Sequence, residues 1–292
     1  MSKATRFREL LKNDGIIVMP GAYDGLSARL VEETGFQAML ATGAGISNSQ
    51  LGWADVGLTT MTEVAQAISR MADVTTIPIL ADADTGYGNA INVIRMVREF
   101  ERAGAAGIQI EDQVMPKKCG HFTGKDVISK KEMIYKIKAI VENRSNPDLV
   151  IVARTDARAV NGLDDALDRA YAYAEAGADV TFIEAPRSVE ELERITRELK
   201  GIPQVANMVE GGLTPLLSAK ELEDLGFKIM LCANTALRGA IKGARAALEE
   251  LYRERSQKNL GDLICTWEER QQLVKLHEIQ NWERKYLHWN KE

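Results

Sequence analysis

Residues 79–112 read ILADADTGYGNAINVIRMVREFERAGAAGIQIED. Two short aliphatic runs, Ile79–Asp82 and Gly107–Glu111, are typical of buried strands, and the amphipathic run between them, Asn92–Ala103, is typical of a helix. Gly104 follows the helical run, at a place where glycine favours the left-handed conformation that ends a helix. Because neighbouring parallel strands need a crossover connection, this stretch predicts a strand–helix–strand unit of a parallel sheet.

The same alternation of strand-like and helix-like runs continues along the chain. Eight strands are predicted, at Ile16–Pro20, Ala38–Thr42, Ile79–Asp82, Gly107–Glu111, Val150–Arg154, Val180–Glu184, Gln204–Asn207 and Lys228–Leu231. Glycines that end helical runs stand at 35, 104, 177 and 226, and Ser/Thr-x-x-Glu motifs that begin helices stand at 60, 129, 188 and 218. Eight such units predict a closed, TIM-type (β/α)8 barrel. A doubly wound open sheet is the alternative, but no GxGxxG motif follows the first strand.

The chain becomes mostly helical after Leu231, with helical patterns at Thr235–Arg253 and Trp267–Tyr286. A barrel needs only one closing helix, so residues 1–292 are predicted to form a single barrel domain with residues 250–292 as a C-terminal helical extension. The extension is rich in aromatic residues, namely Trp267, Trp282, Tyr286 and Trp289. These side chains pack either on the outside of their own barrel or on another subunit, and both interpretations stay open.

Composition and charge exclude several classes of protein. With 37 basic and 42 acidic residues, the net charge of −5 argues against a broadly basic nucleic-acid-binding protein. No apolar run reaches the roughly 20 residues needed to span a bilayer. The first residues lack the apolar segment of a secretion signal. Three cysteines are too few and odd in number for a disulfide framework, so a reducing cytoplasmic compartment is expected, with no nucleic acid or membrane as partner.

Polar residues stand where the predicted strands end, which is where a (β/α)8 barrel carries its chemistry. They are Thr42, Asp82, Asp84, Glu111, Arg154, Glu184, Asn207 and Glu210. Acidic side chains that converge on one rim repel one another, and a hard cation such as Mg²⁺ is the simplest way to offset the repulsion. Asp82 and Asp84 alone are compatible with a turn cap. The presence of Glu111 and Glu184 nearby favours a metal site.

Two further features of the rim suit carboxylate binding. Arg154 can bind a carboxylate with two parallel hydrogen bonds, or can be held in a buried salt bridge to Glu111 or Glu184, and both can be true together. Residues Thr42, Gly43 and Ala44 either present a hydroxyl and backbone N–H groups to a second carboxylate or form a tight turn. The rim is therefore predicted to bind a small dicarboxylate or tricarboxylate.

The segment Pro116–Gly124, after the fourth strand, is basic and rich in glycine. Positive charge from the neighbouring lysines and His121 is expected to lower the pKa of Cys119, which suits a proton donor or acceptor near neutral pH. An inert loop thiol is the alternative. Glycines give a loop at this place the freedom to act as a lid. No lysine stands at a predicted strand end, which argues against a Schiff-base aldolase.

Four motifs together resemble the isocitrate lyase/phosphoenolpyruvate mutase superfamily. They are Lys117–His121 (KKCGH), Asp82–Gly88 (DADTGYG), Ile110–Gln113 (IEDQ) and Ala153–Ala157 (ARTDA). The resemblance runs from about residue 7 into the C-terminal tail. It is greatest to the short bacterial members, the 2-methylisocitrate lyases and 2,3-dimethylmalate lyases.

The resemblance implies a fold, a metal and roles for individual residues. It implies a barrel whose last helix is swapped between subunits of a homotetramer, and Mg²⁺, with Mn²⁺ as an alternative, at Asp82, Asp84 and Glu111. Cys119 would be the acid on a mobile loop, with Lys118 and His121 as nearby cations. Asp55 would be an aspartate of the site, and the base would be either Asp55 or a water held by the acidic rim. Asn207 and Glu210 would lie on the substrate side, where Arg154 and Glu184 are also expected from their positions at strand ends.

The activity implied is cleavage of a carbon–carbon bond, because the Cys-Gly-His loop is generally missing from phosphonopyruvate-specific members. A 2-hydroxy dicarboxylate of the 2-methylisocitrate or 2,3-dimethylmalate type would give pyruvate and a second carboxylate by retro-Claisen chemistry. The alternatives are a carboxyphosphonoenolpyruvate phosphonomutase, an oxaloacetate hydrolase or decarboxylase, and a non-catalytic binding barrel. Glu210-Gly-Gly212 in place of Glu-Phe-Gly, and Trp53-Ala54 in place of Leu-Pro, depart from the methylisocitrate lyases.

Overall fold

The computed structural model describes residues 1–118 and 124–287. Its central feature is an eight-stranded parallel sheet with the strand order β6-β5-β4-β3-β2-β1-β8-β7. The strands are Ile17–Ala22 (β1), Met39–Ala41 (β2), Ile79–Asp82 (β3), Gly107–Glu111 (β4), Val150–Thr155 (β5), Val180–Ile183 (β6), Val205–Asn207 (β7) and Ile229–Cys232 (β8). An isolated parallel bridge between Thr181 and Gln204 joins the two outermost strands, β6 and β7, and nearly closes the barrel. The (β/α)8 prediction is confirmed.

The predicted strands agree closely with the observed ones. The largest difference is in β1, which ends at Ala22 rather than at Pro20. Two of the predicted capping boxes, at Thr60 and Ser218, form both reciprocal hydrogen bonds. Ser129 and Ser188 each accept only the backbone N–H of the glutamate three residues later. All four predicted helix-ending glycines have positive φ angles: Gly35 at 100°, Gly104 at 95°, Gly177 at 109° and Gly226 at 95°.

Helices alternate with the strands through the barrel, as the sequence predicted. They are Lys3–Lys12 (α1), Gly25–Glu33 (α2), Gly43–Ile46 (α3), Met61–Val74 (α4), Ala90–Arg102 (α5), Lys130–Asn143 (α6), Ala157–Val160 (α7), Leu163–Glu175 (α8), Val189–Glu198 (α9) and Ala219–Leu225 (α10). A π-helical turn, Ser47–Leu51, continues directly from α3. The short helices α3 and α7 directly follow β2 and β5, at the rim where the polar residues gather.

Apolar side chains fill the barrel, so it is a packed core rather than a pore. The cluster includes Met19, Leu40, Leu80, Val152, Phe182 and Leu231. Phe7 from α1 belongs to the same cluster and is fully buried. Polar groups at the carboxyl ends of the strands therefore lie above an apolar floor.

The chain divides into two compact units, residues 1–235 and 236–292. The second contains almost all of Thr235–Glu254 (α11), with Trp267–Leu273 (α12) and Leu276–Tyr286 (α13). The prediction of one helix over Trp267–Tyr286 is wrong: Lys275 has a φ of +56°, which interrupts the helical hydrogen bonds without a glycine or proline to signal it. The single-domain boundaries stay a prediction. No described helix is both long and apolar enough to cross a membrane.

The turn between α8 and β6 offers a test of how tightly the helical layer is packed. An alanine Cβ at Gly177 would lie 2.8 Å from Val141 Cγ2, whereas at Gly201, which also has a positive φ, it would meet nothing within 4 Å. We expect Gly201→Ala to lower the free energy of unfolding by about 1 kcal/mol through backbone strain alone. Gly177→Ala should lower it by a further 1 to 3 kcal/mol, roughly, through overpacking. Denaturant unfolding followed by circular dichroism measures both, and equal losses would contradict the packing argument.

Candidate active site

A cavity opens at the carboxyl ends of the barrel strands, within the unit 1–235. Its walls include the sequence-predicted residues Thr42, Ala44, Asp55, Asp82, Glu111, Lys118, Arg154, Glu184 and Asn207. Gly43 and Asp84 stand directly behind Asp82, because their backbone N–H groups donate to its Oδ2 and Oδ1 at 3.3 Å each. Glu210 is exposed and is not among the cavity walls. Cys119 and His121 lie outside the described residues.

The loop after β3 is held in an uncommon backbone conformation. Asp84 has a φ of +45° and Tyr87 a φ of +59°, in a region that residues with a Cβ seldom adopt. The buried amine of Lys136 donates to the Thr85 carbonyl at 3.0 Å and supports this loop from α6. A Cβ at Gly43 would lie 2.9 Å from Asp82 Oδ2, so only glycine allows α3 to approach the carboxylate so closely.

Helix α3 uses its first N–H group differently from the sequence expectation. The Thr42 hydroxyl accepts the Gly45 N–H at 3.4 Å and so caps the helix. The Gly43 N–H is directed at Asp82 instead of an anion in the cavity. Thr42 and Ala44 do line the cavity, and their predicted role in binding a carboxylate stays a prediction.

Lys117 lies at the centre of the acidic side of the cavity. Its Nζ is 2.5 Å from Asp55 Oδ1 and 2.8 Å from Asp84 Oδ1, and its side chain is almost fully buried. Burial by itself would lower the pKa of Lys117, but the charges of Asp84, Glu111 and Asp55 outweigh burial and raise it. Burial raises the pKa of Asp84 to about 6. The positive charge of Lys117 lowers this pKa and the negative charge of Asp82 raises it, but burial is the largest effect. The sequence reasoning missed Lys117, because a lysine in a basic loop has no distinguishing pattern.

Arg154 is a second buried cation of the cavity walls and contacts three carboxylates. Its Nε is 2.9 Å from Asp156 Oδ2 and 3.3 Å from Glu111 Oε2, and its Nη1 is 3.3 Å from Glu184 Oε2. Burial raises the pKa of Glu111 well above its usual value, although Arg154 acts in the opposite direction. The predicted salt bridges to both glutamates are thus confirmed. The carboxylate-clamp role of Arg154 stays a prediction.

Several buried oxygen atoms of the cavity walls have no hydrogen-bond partner within the part of the chain that the structure describes. They are Gln109 Oε1, Glu111 Oε1, Asn207 Oδ1 and Asn234 Oδ1. All are acceptors, and leaving a buried acceptor unpaired is costly. A ligand that brings positive charge or donor groups would satisfy them. Gln109 was not identified from the sequence as a site residue, although it stands two residues before Glu111 on the same face of β4. Asn234 was not identified either, because the polar residues considered at strand ends follow only the strands up to β7.

The donor chemistry of the cavity fits a hard cation, but the protein alone does not complete a site. Within residues 1–118 and 124–287, no three Asp, Glu, His or Cys side chains form a cluster that could hold an ion. Lys117 instead pairs with Asp55 and Asp84. The available donors are oxygen atoms, which Mg²⁺ prefers, and Mg²⁺ usually keeps several waters and takes few protein ligands. An ion here would complete its shell with water or with oxygen atoms of a substrate.

Comparison with known proteins places these residues in a family context. The family model described as phosphoenolpyruvate phosphomutase matches residues 7–252. The 2,3-dimethylmalate lyase of Eubacterium barkeri is 46% identical over 286 residues, which are 98% of this chain and 99% of the relative. The 2-methylisocitrate lyase of Aeropyrum pernix is 45% identical, over 94% of this chain and 87% of the relative.

Similarity extends to a relative with a different chemistry and to a solved structure. The chloroplastic carboxyvinyl-carboxyphosphonate phosphorylmutase of Arabidopsis thaliana is 45% identical, over 93% of this chain and 81% of the relative. A crystal structure of 2,3-dimethylmalate lyase matches with a TM-score of 0.92 at 36% identity, over 98% of this chain and 95% of that one. The phosphorylmutase is thus nearly as similar as the two lyases, and the cavity has to be considered together with overall identity.

Proposed function

Because this chain belongs to the phosphoenolpyruvate phosphomutase family, we propose that it cleaves a 2-hydroxy dicarboxylate to pyruvate and a second carboxylate with the help of a divalent metal ion. The resemblance found in its motifs is confirmed, and the chain is a carbon–carbon lyase of this superfamily. The observation that carries the substrate proposal is the cavity itself. Oxygen acceptors with no hydrogen-bond partner among the described residues lie on its walls together with Arg154, which suits a ligand that combines a cation with a carboxylate.

The metal would be held on the acidic side, at Asp82, Asp84 and Glu111, and Mg²⁺ is the ion we propose, with Mn²⁺ as the alternative. Glu111 Oε1, which has no hydrogen-bond partner within residues 1–118 and 124–287, supports this placement. When bound, the ion would withdraw electron density from the oxygen atoms of the substrate and so favour breaking of the neighbouring carbon–carbon bond. Lys117 would then give up part of its contact with Asp84.

The protein's own residues would bind the substrate and move its protons. Arg154 would hold a substrate carboxylate, and Asn207 would orient it from the end of β7. The C2 hydroxyl proton would pass to a base, for which Asp55 is the candidate, as the C2 carbonyl forms. The C2–C3 electron pair would remain on C3, and Cys119 would donate a proton there. Lys118 and His121 would stabilise the negative charge of the departing fragment.

A panel of substrates tests this proposal. Assays for pyruvate with 2,3-dimethylmalate, 2-methylisocitrate and related 2-hydroxy diacids are expected to find one that is cleaved. Chelation with EDTA should abolish cleavage and added Mg²⁺ should restore it. Oxaloacetate is assayed separately, through oxalate, because its hydrolysis gives no pyruvate. Turnover of phosphonopyruvate or a carboxyphosphonate seen by ³¹P NMR, without pyruvate release from any diacid, would favour the mutase that the plant relative suggests.

The proposed acid gives a second prediction. Cys119→Ser should lower the turnover of the cleaved diacid by about 10²-fold or more, the scale of a lost acid catalyst, because a serine hydroxyl is a much weaker acid than a thiol. Cys265→Ser changes an exposed thiol in the second unit and is the matched control, expected to retain activity. Near-normal turnover by Cys119→Ser would remove Cys119 from the mechanism.

We also propose that a second copy of this chain covers an apolar face of α11, as part of a homotetramer with a swapped C-terminal helix. On α11, Ile241, Leu248 and Tyr252 repeat at helical spacing and are 47%, 64% and 71% exposed. Soluble proteins seldom leave such a stripe uncovered. The aromatic residues Trp267 and Trp282 of the same unit are also exposed.

The free thiols of Cys232 and Cys265 are consistent with a cytoplasmic location.

The assembly is tested by measuring molar mass in solution. Size-exclusion chromatography with light scattering should give about four copies for the wild type, and a smaller assembly for the double variant Leu248→Glu/Tyr252→Glu, because charged groups in an apolar interface cost several kcal/mol, roughly. Ile91→Glu, at an apolar position 72% exposed on α5, is the control and should keep the wild-type mass. A wild type that is monomeric would overturn the proposal.

A further inference from the structure

We infer that Asp156, with Lys125 as its counter-ion, is a positioning residue for Arg154: it determines which edge of the guanidinium faces the cavity. Asp156 is fully buried and is not among the cavity walls, so it acts on a substrate without contact, either through the orientation of Arg154 or through its charge. The inference rests on the proposed function, in which Arg154 holds a substrate carboxylate.

Two hydrogen bonds join the side chains of Asp156 and Arg154. Asp156 Oδ2 accepts from Arg154 Nε at 2.9 Å, and Asp156 Oδ1 accepts from Nη2 at 3.1 Å. The Cζ of Arg154 lies over the ring of Phe182, 5.4 Å from the ring centroid. A planar group held by two hydrogen bonds along one edge has little freedom to rotate, so its Nη1 side is left pointing towards Glu184.

Lys125 compensates the negative charge that Asp156 places beside Arg154. Glu111 and Glu184 already contact Arg154, so a third carboxylate would make the surroundings of the guanidinium repel an anionic substrate. Lys125 Nζ donates to Asp156 Oδ1 at 2.6 Å, and only 2% of the lysine side chain is exposed. Although burial alone would raise the pKa of Asp156, Arg154 and Lys125 lower it, so the carboxyl stays ionised.

The backbone of Asp156 is fixed from behind the strand. Its N–H donates to Asp112 Oδ1 at 2.9 Å, and the Thr155 hydroxyl donates to Asp112 Oδ2 at 2.7 Å. The same carboxylate accepts from Tyr173 at 2.8 Å and from Arg169 at 3.1 Å, both on α8. A residue held by so many buried contacts can define the orientation of its neighbour closely.

The variant Asp156→Asn separates positioning from simple electrostatics, and Lys125→Met tests whether the counter-ion is needed. Asp156→Asn removes a negative charge beside Arg154 but keeps the shape of the side chain. If charge alone mattered, the variant would bind anions more tightly. If Asp156 positions Arg154, the variant should bind them about tenfold more weakly, the scale of one lost hydrogen bond to a charged group. Lys125→Met leaves Asp156 uncompensated and should also bind anions about tenfold more weakly, whereas Lys125→Arg should restore most of the affinity.

The probe is oxalate in the presence of Mg²⁺, measured by isothermal titration calorimetry. Lys130→Met, which removes an exposed partner of Asp168, is the control and should bind like the wild type. In the double variant Asp156→Asn/Lys125→Met, loss of Lys125 should add no further weakening, because its partner charge is gone. With the cleaved diacid as substrate, KM should rise more than kcat falls.

The outcomes distinguish the inference from the proposed function. A wild type that binds no oxalate with Mg²⁺ contradicts the proposed function itself. Wild-type binding with unchanged or tighter binding by Asp156→Asn overturns the positioning role. If Asp156→Asn does not fold, judged by its circular dichroism, Lys125→Met and Lys125→Arg decide, and equal binding by wild type and Lys125→Met overturns the inference. A lowered melting temperature with unchanged affinity would mean a structural role only.

Discussion

A parallel barrel brings the carboxyl ends of its strands to one rim, and in this chain that geometry concentrates acidic side chains that have to be neutralised. Asp82 ends β3, Glu111 ends β4 and Glu184 follows β6. Their mutual repulsion is offset by two buried cations, Lys117 and Arg154. These two cations link the carboxylates of the rim, and the chemistry of the cavity follows from how each does so.

The two cations leave the carboxylates around them in different states. Lys117 pairs with Asp55 and Asp84, yet the pKa of Asp84 remains raised to about 6 and Glu111 Oε1 has no hydrogen-bond partner among the described residues. The carboxylates around Lys117 are thus short of positive charge. Lys125 compensates the charge of Asp156, the third carboxylate beside Arg154. An additional cation therefore suits the carboxylates around Lys117 and an anionic group suits Arg154, and a metal-bound hydroxy acid carries both.

Most of the fold and much of the rim could be predicted from the sequence, because both depend on local patterns. Strand ends follow from short aliphatic runs, and the positive φ of Gly177 follows from its place after a helical pattern. Lys117 and Lys125 could not be predicted, because only the folded chain shows which loop lysines are buried. The direction of the Gly43 N–H could not be predicted either, because it depends on a 3.3 Å contact with Asp82, which is far away in sequence.

The residues Arg154, Thr155 and Asp156 show how one strand end links the cavity to the outer layer of the barrel. Asp156 directly follows β5 and its carboxylate accepts from Arg154. The Thr155 hydroxyl between them donates to Asp112, which also accepts from Tyr173 and Arg169 of α8. Buried ions contribute little net stability compared with apolar side chains of similar size. The buried ion pairs that Asp156 makes with Arg154 and Lys125 are therefore better explained by the orientation that they impose on Arg154 than by the stability of the barrel.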